Sequence, residues 1–330
     1  MKPKKYSLAY LPTPLEKLEV ASRKHGVNLM IKRDDLSGME LSGNKVRKLE
    51  YLLYDAVQKG CDTILTYGGC QSNHARATVV AAVKQGLACV LILDNTYQHL
   101  NEGNLFLNRL LGADIRFVDS AVYNSPEAVA KVEAEVIKEY ESQGKKVYSV
   151  PIGASNGLGS LGYVDEAEEL LEQCKNMNFP VDCIVDTIGS AGTYTGLLYG
   201  LKKNGYRGKC LAISIANSAA TCRDKVLAVS KELNGVLGTA LDVSDMIEVW
   251  DDFVGEGYAL TTEANMAFMK EFAMESGIFL DPVYTGKAFD GFFQALKAGR
   301  LKGCSNIVLI HTGGMFGYRQ DQRDLLKYKS

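Results

Sequence analysis

The feature that most restricts the fold is a regular alternation of helical and extended apolar segments along the chain. From Asn44 onward, apolar residues recur at the three- and four-residue spacing of a helix, and Gly60 follows where such a helix would end. Short apolar runs, such as those at 63–67 and 88–93, alternate with further helical stretches. Strands joined in sequence by helices predict a parallel sheet with helices on both faces, which is an α/β fold.

The alternation occurs in two series, and a glycine-rich stretch at 153–162 separates them. The first series predicts helices at 44–57, 75–85, 105–111 and 126–143 and strands at 63–67, 88–93, 115–118 and 147–150. The second predicts helices at 163–176, 194–203, 225–233, 263–275 and 287–298 and strands at 183–187, 210–215 and 307–311. Two α/β layers are therefore expected, and a chain of 330 residues is long enough for two domains.

Composition and charge exclude several classes of protein. The formal net charge is −2, so the chain as a whole has no electrostatic attraction to nucleic acid or to an anionic membrane. No run of about 18 apolar residues occurs, and the short run after the first lysines is not a signal-peptide core. The eight cysteines include no Cys-x-x-Cys pair, which predicts a reduced, cytoplasmic chain in which most cysteines are buried small hydrophobes.

A glycine-rich loop follows the predicted strand at 183–187 and opens a helix. Its sequence is Gly189-Ser190-Ala191-Gly192-Thr193-Tyr194-Thr195-Gly196. Backbone amides and the positive end of the helix dipole bind anions at such a turn, and Ser190 and Thr193 can add hydroxyl donors. The loop has neither Gly-Lys-[Ser/Thr] nor the spacing of the dinucleotide fingerprint, so it predicts a site for a phosphate that is not part of a nucleotide. The alternative interpretation is a tight turn that binds nothing.

Lys45 is a candidate for covalent chemistry. It lies in Ser42-Gly43-Asn44-Lys45, at the start of the first predicted helix and after the polar run Lys32-Arg33-Asp34-Asp35. A lysine at a helix start is ordinarily a solvated surface charge. Nearby cationic charge and the positive helix end would, however, both lower the pKa of its amine, as imine formation requires.

Two more polar loops precede predicted helices. Gln71-Ser72-Asn73-His74 follows a strand, so its side chains are expected at the carboxyl edge of a parallel sheet, where ligands bind. Ser72 or Asn73 could equally cap the helix, and His74 could lie on the helix surface. The loop at 281–287 offers the ring of Tyr284 beside the hydroxyl of Thr285.

With these loops, the chain resembles the family of bacterial and archaeal D-cysteine desulfhydrases and aminocyclopropane-carboxylate deaminases. These are pyridoxal-phosphate enzymes with the tryptophan-synthase-β fold. The resemblance runs nearly end to end through six motifs in order, namely Thr13-Pro14-Leu15, Ile31-Lys32-Arg33-Asp34-Asp35, Gly43-Asn44-Lys45-Val46-Arg47-Lys48-Leu49-Glu50, Gln71-Ser72-Asn73-His74, the loop at 281–287 and His311-Thr312-Gly313-Gly314.

The resemblance implies roles for residues of these loops and no metal site. The residues implied to bind pyridoxal 5'-phosphate are Lys45 (as an imine), Asn73 (at the ring hydroxyl), Gly189, Ser190, Ala191, Gly192 and Thr193 (at the phosphate), Tyr284 (against the ring) and Thr285 (facing the pyridine nitrogen). The residues implied to bind the substrate carboxylate are Gln71, Ser72, Asn73 and His74, and those implied to be catalytic are Lys45, Ser72 and Tyr284.

The resemblance also implies the architecture. It predicts two three-layer αβα domains with mostly parallel sheets and the cofactor in the cleft between them. The larger domain would comprise 1–50 and 160–330, and the smaller domain, 51–159, would be inserted into it. The expected partner is a small amino acid, without nucleic acid or membrane, and the expected assembly is a homodimer.

Thr285 bears on the choice of reaction. A neutral hydroxyl would leave the pyridine nitrogen largely unprotonated and a substrate carbanion less stabilised, which favours rapid loss of a β-substituent. The deaminases of the family carry Glu at the position of Thr285. The leading hypothesis is therefore α,β-elimination of D-cysteine to pyruvate, ammonia and sulfide.

Several alternatives stay open. One is deamination of aminocyclopropane-carboxylate, and another is elimination or racemisation of a small amino acid such as D-serine, β-chloro-D-alanine or a diamino acid. From other classes, a non-catalytic protein that binds an amino acid or phosphate, or an NAD-dependent oxidoreductase, could share the fold. Cys70, in Tyr67-Gly68-Gly69-Cys70, either narrows the substrate pocket or is inert, and we favour the inert interpretation.

Overall fold

Two separate sheets and the helices around them make up residues 2–326, which are the residues that this computed structural model describes. The strands are β1 (Leu15–Lys17), β2 (Asn28–Lys32), β3 (Thr63–Gly68), β4 (Ala88–Asp94), β5 (Asp114–Val118), β6 (Val147–Ser149), β7 (Cys183–Ile188), β8 (Lys209–Ser214), β9 (Glu248–Trp250) and β10 (Asn306–Ile310). The α-helices are α1 (Glu19–His25), α2 (Lys45–Gln58), α3 (Asn73–Lys84), α4 (Gly103–Leu110), α5 (Ser120–Tyr123), α6 (Pro126–Ser142), α7 (Gly157–Asn176), α8 (Gly192–Lys203), α9 (Ala219–Leu237), α10 (Glu263–Ser276), α11 (Thr285–Lys297) and α12 (Gln320–Asp324).

Both sheets are mostly parallel. The larger has the order β1-β2-β10-β7-β8-β9, in which β1 runs antiparallel to β2. The smaller has the order β5-β4-β3-β6 and is parallel, and its strands all come from 63–149, between β2 and β7 in the chain. The predicted α/β fold class is therefore confirmed. The predicted domain boundaries at 50/51 and 159/160 stay a prediction, and each falls inside a helix, α2 or α7.

Every predicted strand is present to within one residue, whereas several short elements were missed. The missed elements are β1, β2, β9, α1, α5 and α12. β1 and β9 have three residues each, which is too few to show a periodicity. β2 is buried from Leu29 to Lys32, and its charged end made it look like part of the polar run that follows it.

Two helices begin six residues earlier than predicted. The side chain of Asn156 accepts a hydrogen bond from Gly159 N at 2.8 Å at the start of α7, and Ser218 similarly caps α9. The glycines of the 153–162 stretch therefore form the first turns of α7. They permit close helix packing, because a Cβ on Gly157 would lie 2.7 Å from the backbone nitrogen of Leu233 in α9.

Apolar side chains cover both faces of the larger sheet. Ile184 and Ile188 of β7 pack with α7 and α8, whereas Cys183 and Val185 pack with α10 and α11 on the other face. All eight cysteines are buried and unpaired, which confirms their interpretation as small hydrophobes. Among the described residues, no helix has both the length and the apolar character needed to cross a membrane.

Candidate active site

Two adjoining cavities lie where the loops after β3, β7 and β10 meet the first turn of α2. Both are lined by Lys45, Gly189, Ser190 and Tyr284. The predicted site residues on these walls are Lys45, Ser72, Asn73, His74, Gly189, Ser190, Ala191, Thr193 and Tyr284. Gln71, Gly192 and Thr285 are not among the lining residues. The fold thus brings most of the predicted residues to one place.

Lys45 is the first residue of α2 and lines both cavities. Burial lowers the pKa of Lys45 to about 8, and the negative charge of Asp186 opposes part of that change. A substantial share of the amine is therefore neutral near pH 8, as imine formation requires. The cations named in the sequence analysis are not the cause, since Lys32 and Arg33 form ion pairs with carboxylates.

A buried ion pair and a close backbone contact fix the helix that carries Lys45. Arg47 donates from Nε to Asp34 Oδ2 at 3.0 Å and from Nη2 to Oδ1 at 2.8 Å. Breaking such a pair would leave an uncompensated buried charge, so it resists displacement of the helix. Before the helix, a Cβ on Gly43 would lie 2.6 Å from the carbonyl oxygen of Thr312, and its φ of 106° also favours glycine.

A second lysine that the sequence analysis missed lies near the glycine-rich loop. Lys48 Nζ donates to Ser155 Oγ at 3.2 Å, and that oxygen lies 2.8 Å from Ser190 Oγ. Gly192 N also donates to Ser155 Oγ at 3.2 Å. Burial and the charge of Lys45 hold the pKa of Lys48 well below its usual range, so a bound anion would stabilise its charged form. The spacing of Lys45 and Lys48, which puts them on the same side of a helix, could have indicated this residue.

The glycine-rich loop has the features of an anion site. Ala191 has a left-handed φ of 70° and directly precedes α8, a helix of 12 residues whose first N–H groups have no intrahelical partner. Thr193 Oγ1 accepts from Asn44 Nδ2 at 2.9 Å, so its own proton is available to a ligand. The hydroxyl of Thr187 is buried without a hydrogen-bond partner among the described residues, and Thr187 lines the same cavity. These donors fit a phosphate.

Asp186 is a buried carboxyl that the sequence analysis also missed. It is 1% exposed, and neither of its oxygens has a hydrogen-bond partner among the described residues. Burial raises the pKa of Asp186 to about 7, and the nearby backbone N–H of Thr187 and the charges of Lys48 and Lys45 oppose the rise. Alternation along β7 puts Asp186 on the same sheet face as Ile184 and Ile188. An aspartate inside an apolar strand was the available signal.

In the segment before α3, Gln71 makes structural hydrogen bonds, whereas Ser72 both caps the helix and lines the second cavity. Ser72 is the N-cap, and its Oγ accepts from Ala75 N at 3.1 Å. The side chain of Gln71 bonds at both ends to backbone, donating to Glu102 O at 3.0 Å and accepting from Asn104 N at 2.8 Å. The side chain of Gln71 therefore holds the loop before α3 against the backbone at the start of α4.

Asn73 keeps a donor for a ligand. Its Oδ1 accepts from Asn104 Nδ2 at 2.9 Å, and its Nδ2 makes no hydrogen bond with any residue in the 2–326 range. Asn73 lines the first cavity together with Lys45. Its position therefore fits the predicted bond to a ring hydroxyl.

His74 is a buried, neutral imidazole. Thr66 Oγ1 donates its proton to Val150 O at 2.7 Å, so the ring Nε2 at 2.8 Å must be the donor to Thr66. Burial and the charges of Lys45 and Lys48 hold the pKa of His74 well below its usual range. His74 lines the second cavity without carrying charge.

The loop before α11 presents one tyrosine and buries its threonine. Tyr284 lines both cavities, and its hydroxyl lies 2.7 Å from that of Tyr258, a residue that no motif indicated. Burial holds the pKa of Tyr284 well above its usual range, so its phenol is neutral. Thr285 is fully buried, donates to Asp281 Oδ1 at 2.8 Å and accepts from Asp281 N at 2.9 Å. Its hydroxyl proton is therefore already engaged.

Cys70 lies close to the second cavity but does not line it. Its Sγ donates to Asp94 O at 3.0 Å, and burial raises the pKa of the Cys70 thiol to about 11. The thiol is thus protonated and engaged, in agreement with the inert interpretation.

A buried amine of lowered pKa beside an anion-binding loop, at the carboxyl edge of parallel strands, defines the site of a pyridoxal-phosphate enzyme. Comparisons with known proteins agree. A family described as pyridoxal-phosphate-dependent enzymes matches residues 6–313, so the chain belongs to this family and its cofactor is pyridoxal phosphate. Within the family, it is a lyase of the D-cysteine desulfhydrase and aminocyclopropane-carboxylate deaminase group.

Relatives with both names are similar to the chain. It is 39% identical, over 97% of this chain and 99% of the relative, to a Thermotoga maritima protein named "Putative 1-aminocyclopropane-1-carboxylate deaminase". It is 38% identical to a D-cysteine desulfhydrase of Klebsiella pneumoniae, over 93% of this chain and 94% of that protein. The crystal structure of an aminocyclopropane-carboxylate deaminase homologue superposes with a TM-score of 0.90 at 34% identity, covering 98% of this chain and 97% of that one. A fungal L-serine ammonia-lyase from Rhizomucor miehei shares the fold at 16% identity, with a TM-score of 0.71 and coverage of 97% and 98%.

Membership of this group sets aside the alternatives from other classes, a non-catalytic binding protein and an NAD-dependent oxidoreductase. The predicted fold and cofactor are confirmed. The roles of individual site residues and the substrate stay predictions.

Proposed function

We propose that the chain catalyses α,β-elimination of D-cysteine, which gives pyruvate, ammonia and hydrogen sulfide. One observation carries the choice of elimination: among the described residues that line the two cavities, none is acidic. The carboxyl of Asp281 accepts hydrogen bonds from the backbone N–H groups of Val283, Tyr284 and Thr285. It is therefore engaged by the backbone of its own loop and is not on the wall of either cavity.

The absence of a carboxylate from the cavity walls affects how strongly the cofactor would withdraw electrons from the substrate. When bound, pyridoxal phosphate supplies an electron sink for charge at the substrate α-carbon, and a carboxylate at the pyridine nitrogen would strengthen that sink. Thr285, at the position where the sequence analysis assigned glutamate to the deaminases, is neutral and lines neither cavity, so it adds no negative charge to the walls. A weaker sink favours prompt loss of a good leaving group such as sulfide over reactions that need a long-lived carbanion.

The proposed base is Lys45. Its pKa of about 8 leaves part of the amine neutral at physiological pH, so it can accept the α-proton of the substrate. Lys48 and the loop from Gly189 to Thr193 would hold the phosphate, and Asn73 would hold the ring hydroxyl.

The proposed carboxylate site is the first turn of α3. The unpaired N–H groups of that turn, beside Ser72 and Asn73, favour an anion. Tyr284, whose hydroxyl lies 2.7 Å from that of Tyr258, lines both cavities and is the proposed proton donor to the leaving sulfur.

Incubation with D-cysteine tests the proposal directly. We expect pyruvate and sulfide in equal amounts, and no 2-oxobutyrate from aminocyclopropane-carboxylate. Production of 2-oxobutyrate without sulfide release from D-cysteine would contradict the proposal.

Deamination of aminocyclopropane-carboxylate remains the second candidate, because relatives of similar identity bear both names. D-serine, β-chloro-D-alanine and a diamino acid complete the substrate panel as further candidates for elimination or racemisation. We also propose, from the sequence resemblance, a homodimer that works in the cytoplasm with the two domains at the predicted boundaries. Sedimentation velocity would test the dimer.

A further inference from the structure

The second cavity carries a charge that the proposed reaction does not use. Its walls include two lysines and, within the described part of the chain, no acidic residue. Lys45 is assigned to the cofactor, and the imidazole of His74 is neutral. Lys225 is thus left as an uncompensated cation on the wall.

Lys225 lies in the second turn of α9, partly buried, and makes neither an ion pair nor a hydrogen bond with any residue between 2 and 326. The other cations near the site differ in this respect. Arg47 pairs with Asp34, and Lys48 donates to Ser155. A cation that is held at a cavity wall without a counter-ion attracts an anionic ligand.

Asn217 adds a neutral donor to the same wall. Its backbone N–H donates to Ser214 Oγ at 3.1 Å and its carbonyl accepts from that hydroxyl at 2.7 Å, which fixes the turn before α9. Its side-chain amide, in contrast, has no hydrogen-bond partner among the described residues. An ammonium and an amide on one wall can together bind an oxyanion.

Other parts of the site are already proposed to bind two anions. The cofactor phosphate has the loop at 189–193 and Lys48, and the substrate α-carboxylate has the first turn of α3. We propose that Lys225, assisted by Asn217, binds a third anion, an acidic group on the β-carbon of the substrate. The inference rests on the proposed function and extends its substrate class from D-cysteine to small amino acids with an anionic β-substituent.

Such a substituent is compatible with elimination. The proton on the α-carbon passes to the amine of Lys45, and the bond from the β-carbon to the substituent breaks with its electron pair on the departing group. Water then hydrolyses the remaining enamine to pyruvate and ammonia. A sulfonate leaves as sulfite and gains negative charge as it departs, so the ammonium of Lys225 stabilises the transition state.

Aspartate and asparagine separate charge from shape, because they differ only in the β-carboxyl. The readout is the change in absorbance of the holoenzyme cofactor, which gives a dissociation constant for each enantiomer without turnover. We expect the wild type to bind aspartate at least about tenfold more tightly than asparagine, which is about 1.4 kcal/mol. Lys225→Met should abolish this preference by weakening aspartate alone, and Lys225→Arg should retain most of it.

Lys231→Met is the matched control, since it removes the same charge from an exposed position of the same helix. It should retain the preference for aspartate. The inference is overturned if the wild type shows no preference, if the preference survives in Lys225→Met, or if that variant weakens both amino acids equally. It is also overturned if Lys225→Met weakens pyridoxal phosphate binding instead, because the lysine would then serve the cofactor.

Turnover distinguishes this inference from the proposed function. Cysteate carries a β-sulfonate, and we expect sulfite release whose kcat/KM falls about tenfold in Lys225→Met, while the kcat/KM for D-cysteine is unchanged. Elimination from D-cysteine with equal aspartate and asparagine binding would overturn the inference and leave the proposed function intact. A third outcome is that Lys225→Met loses the preference for aspartate but the wild type eliminates from neither D-cysteine nor cysteate. That result would support the anion site and contradict the proposed function.

Discussion

Replacing Gly162 with alanine tests how closely the helix that carries Lys45 must pack on α7. A Cβ at this position would overlap the carbonyl group of Arg47 and lie 2.9 Å from Lys48 N, whereas ordinary contact begins at 3.4 Å. Both partners are backbone atoms, so no side-chain rotation can relieve the overlap. Relief requires α2 to move by an amount on the order of 1 Å.

The expected change is a loss of stability and of activity. Overpacking a close contact costs about 1–3 kcal/mol, and alanine in a helix interior recovers at most about 1 kcal/mol relative to glycine. We therefore expect Gly162→Ala to lower the free energy of unfolding by about 1–2 kcal/mol in urea titrations. Because α2 positions Lys45, a displacement of about 1 Å should also lower kcat by up to about 100-fold.

Gly235→Ala provides a control of opposite sign. Gly235 lies within α9, and a Cβ there would have no atom within 4 Å. It should raise the free energy of unfolding by about 0.5–1 kcal/mol and leave activity unchanged. A Gly162→Ala protein as stable and as active as the wild type would refute the packing argument.

Three further predictions concern single side chains. Lys48→Met should weaken pyridoxal phosphate binding to the cofactor-free protein by about 10-fold or more in an absorbance titration, and an unchanged affinity would remove Lys48 from the phosphate site. Asp186→Asn should lower the pKa of Lys45 below about 8, because the Asp186 charge raises it; the pH at which imine formation accelerates should then fall. Thr285→Glu should slow sulfide release from D-cysteine while the cofactor stays bound, and an equal rate would argue against control by the pyridine nitrogen.

The sequence predicted the elements with long, regular patterns and the loops between them. Lys45, Asn73 and the loop from Gly189 onward reach one cavity because the carboxyl ends of parallel strands share an edge, a property of any such sheet. The positions of Gln71 and Thr285 could not be predicted in the same way. The side chain of Gln71 bonds to Asn104 and that of Thr285 bonds to Asp281. A sequence motif does not indicate which of several spatial neighbours a side chain will bond.

The cause of the lowered pKa of Lys45 was likewise not evident from the sequence. The charges along the chain suggested that neighbouring cations lower this pKa. In the structure, however, Lys32 pairs with Glu169, which is distant in sequence, and Arg33 pairs with the nearby Asp35. Burial depends on how α2 lies against the two sheets, which is a property of the tertiary structure. Lys225 was missed for the same reason, since an isolated lysine in a helix gives no sequence signal of a cavity wall. Lys48 could have been indicated by its three-residue spacing from Lys45.

Borohydride reduction of the holoenzyme, followed by peptide mapping, tests the central claim most directly, because reduction makes the bond between the cofactor and its lysine permanent. The account predicts that the peptide containing Lys45 carries the reduced pyridoxal phosphate, with fragmentation locating it on that residue, and that Lys45→Ala yields no modified lysine at all. Modification of Lys48 or of any other lysine in the wild type, or a protein that cannot be modified, would contradict it.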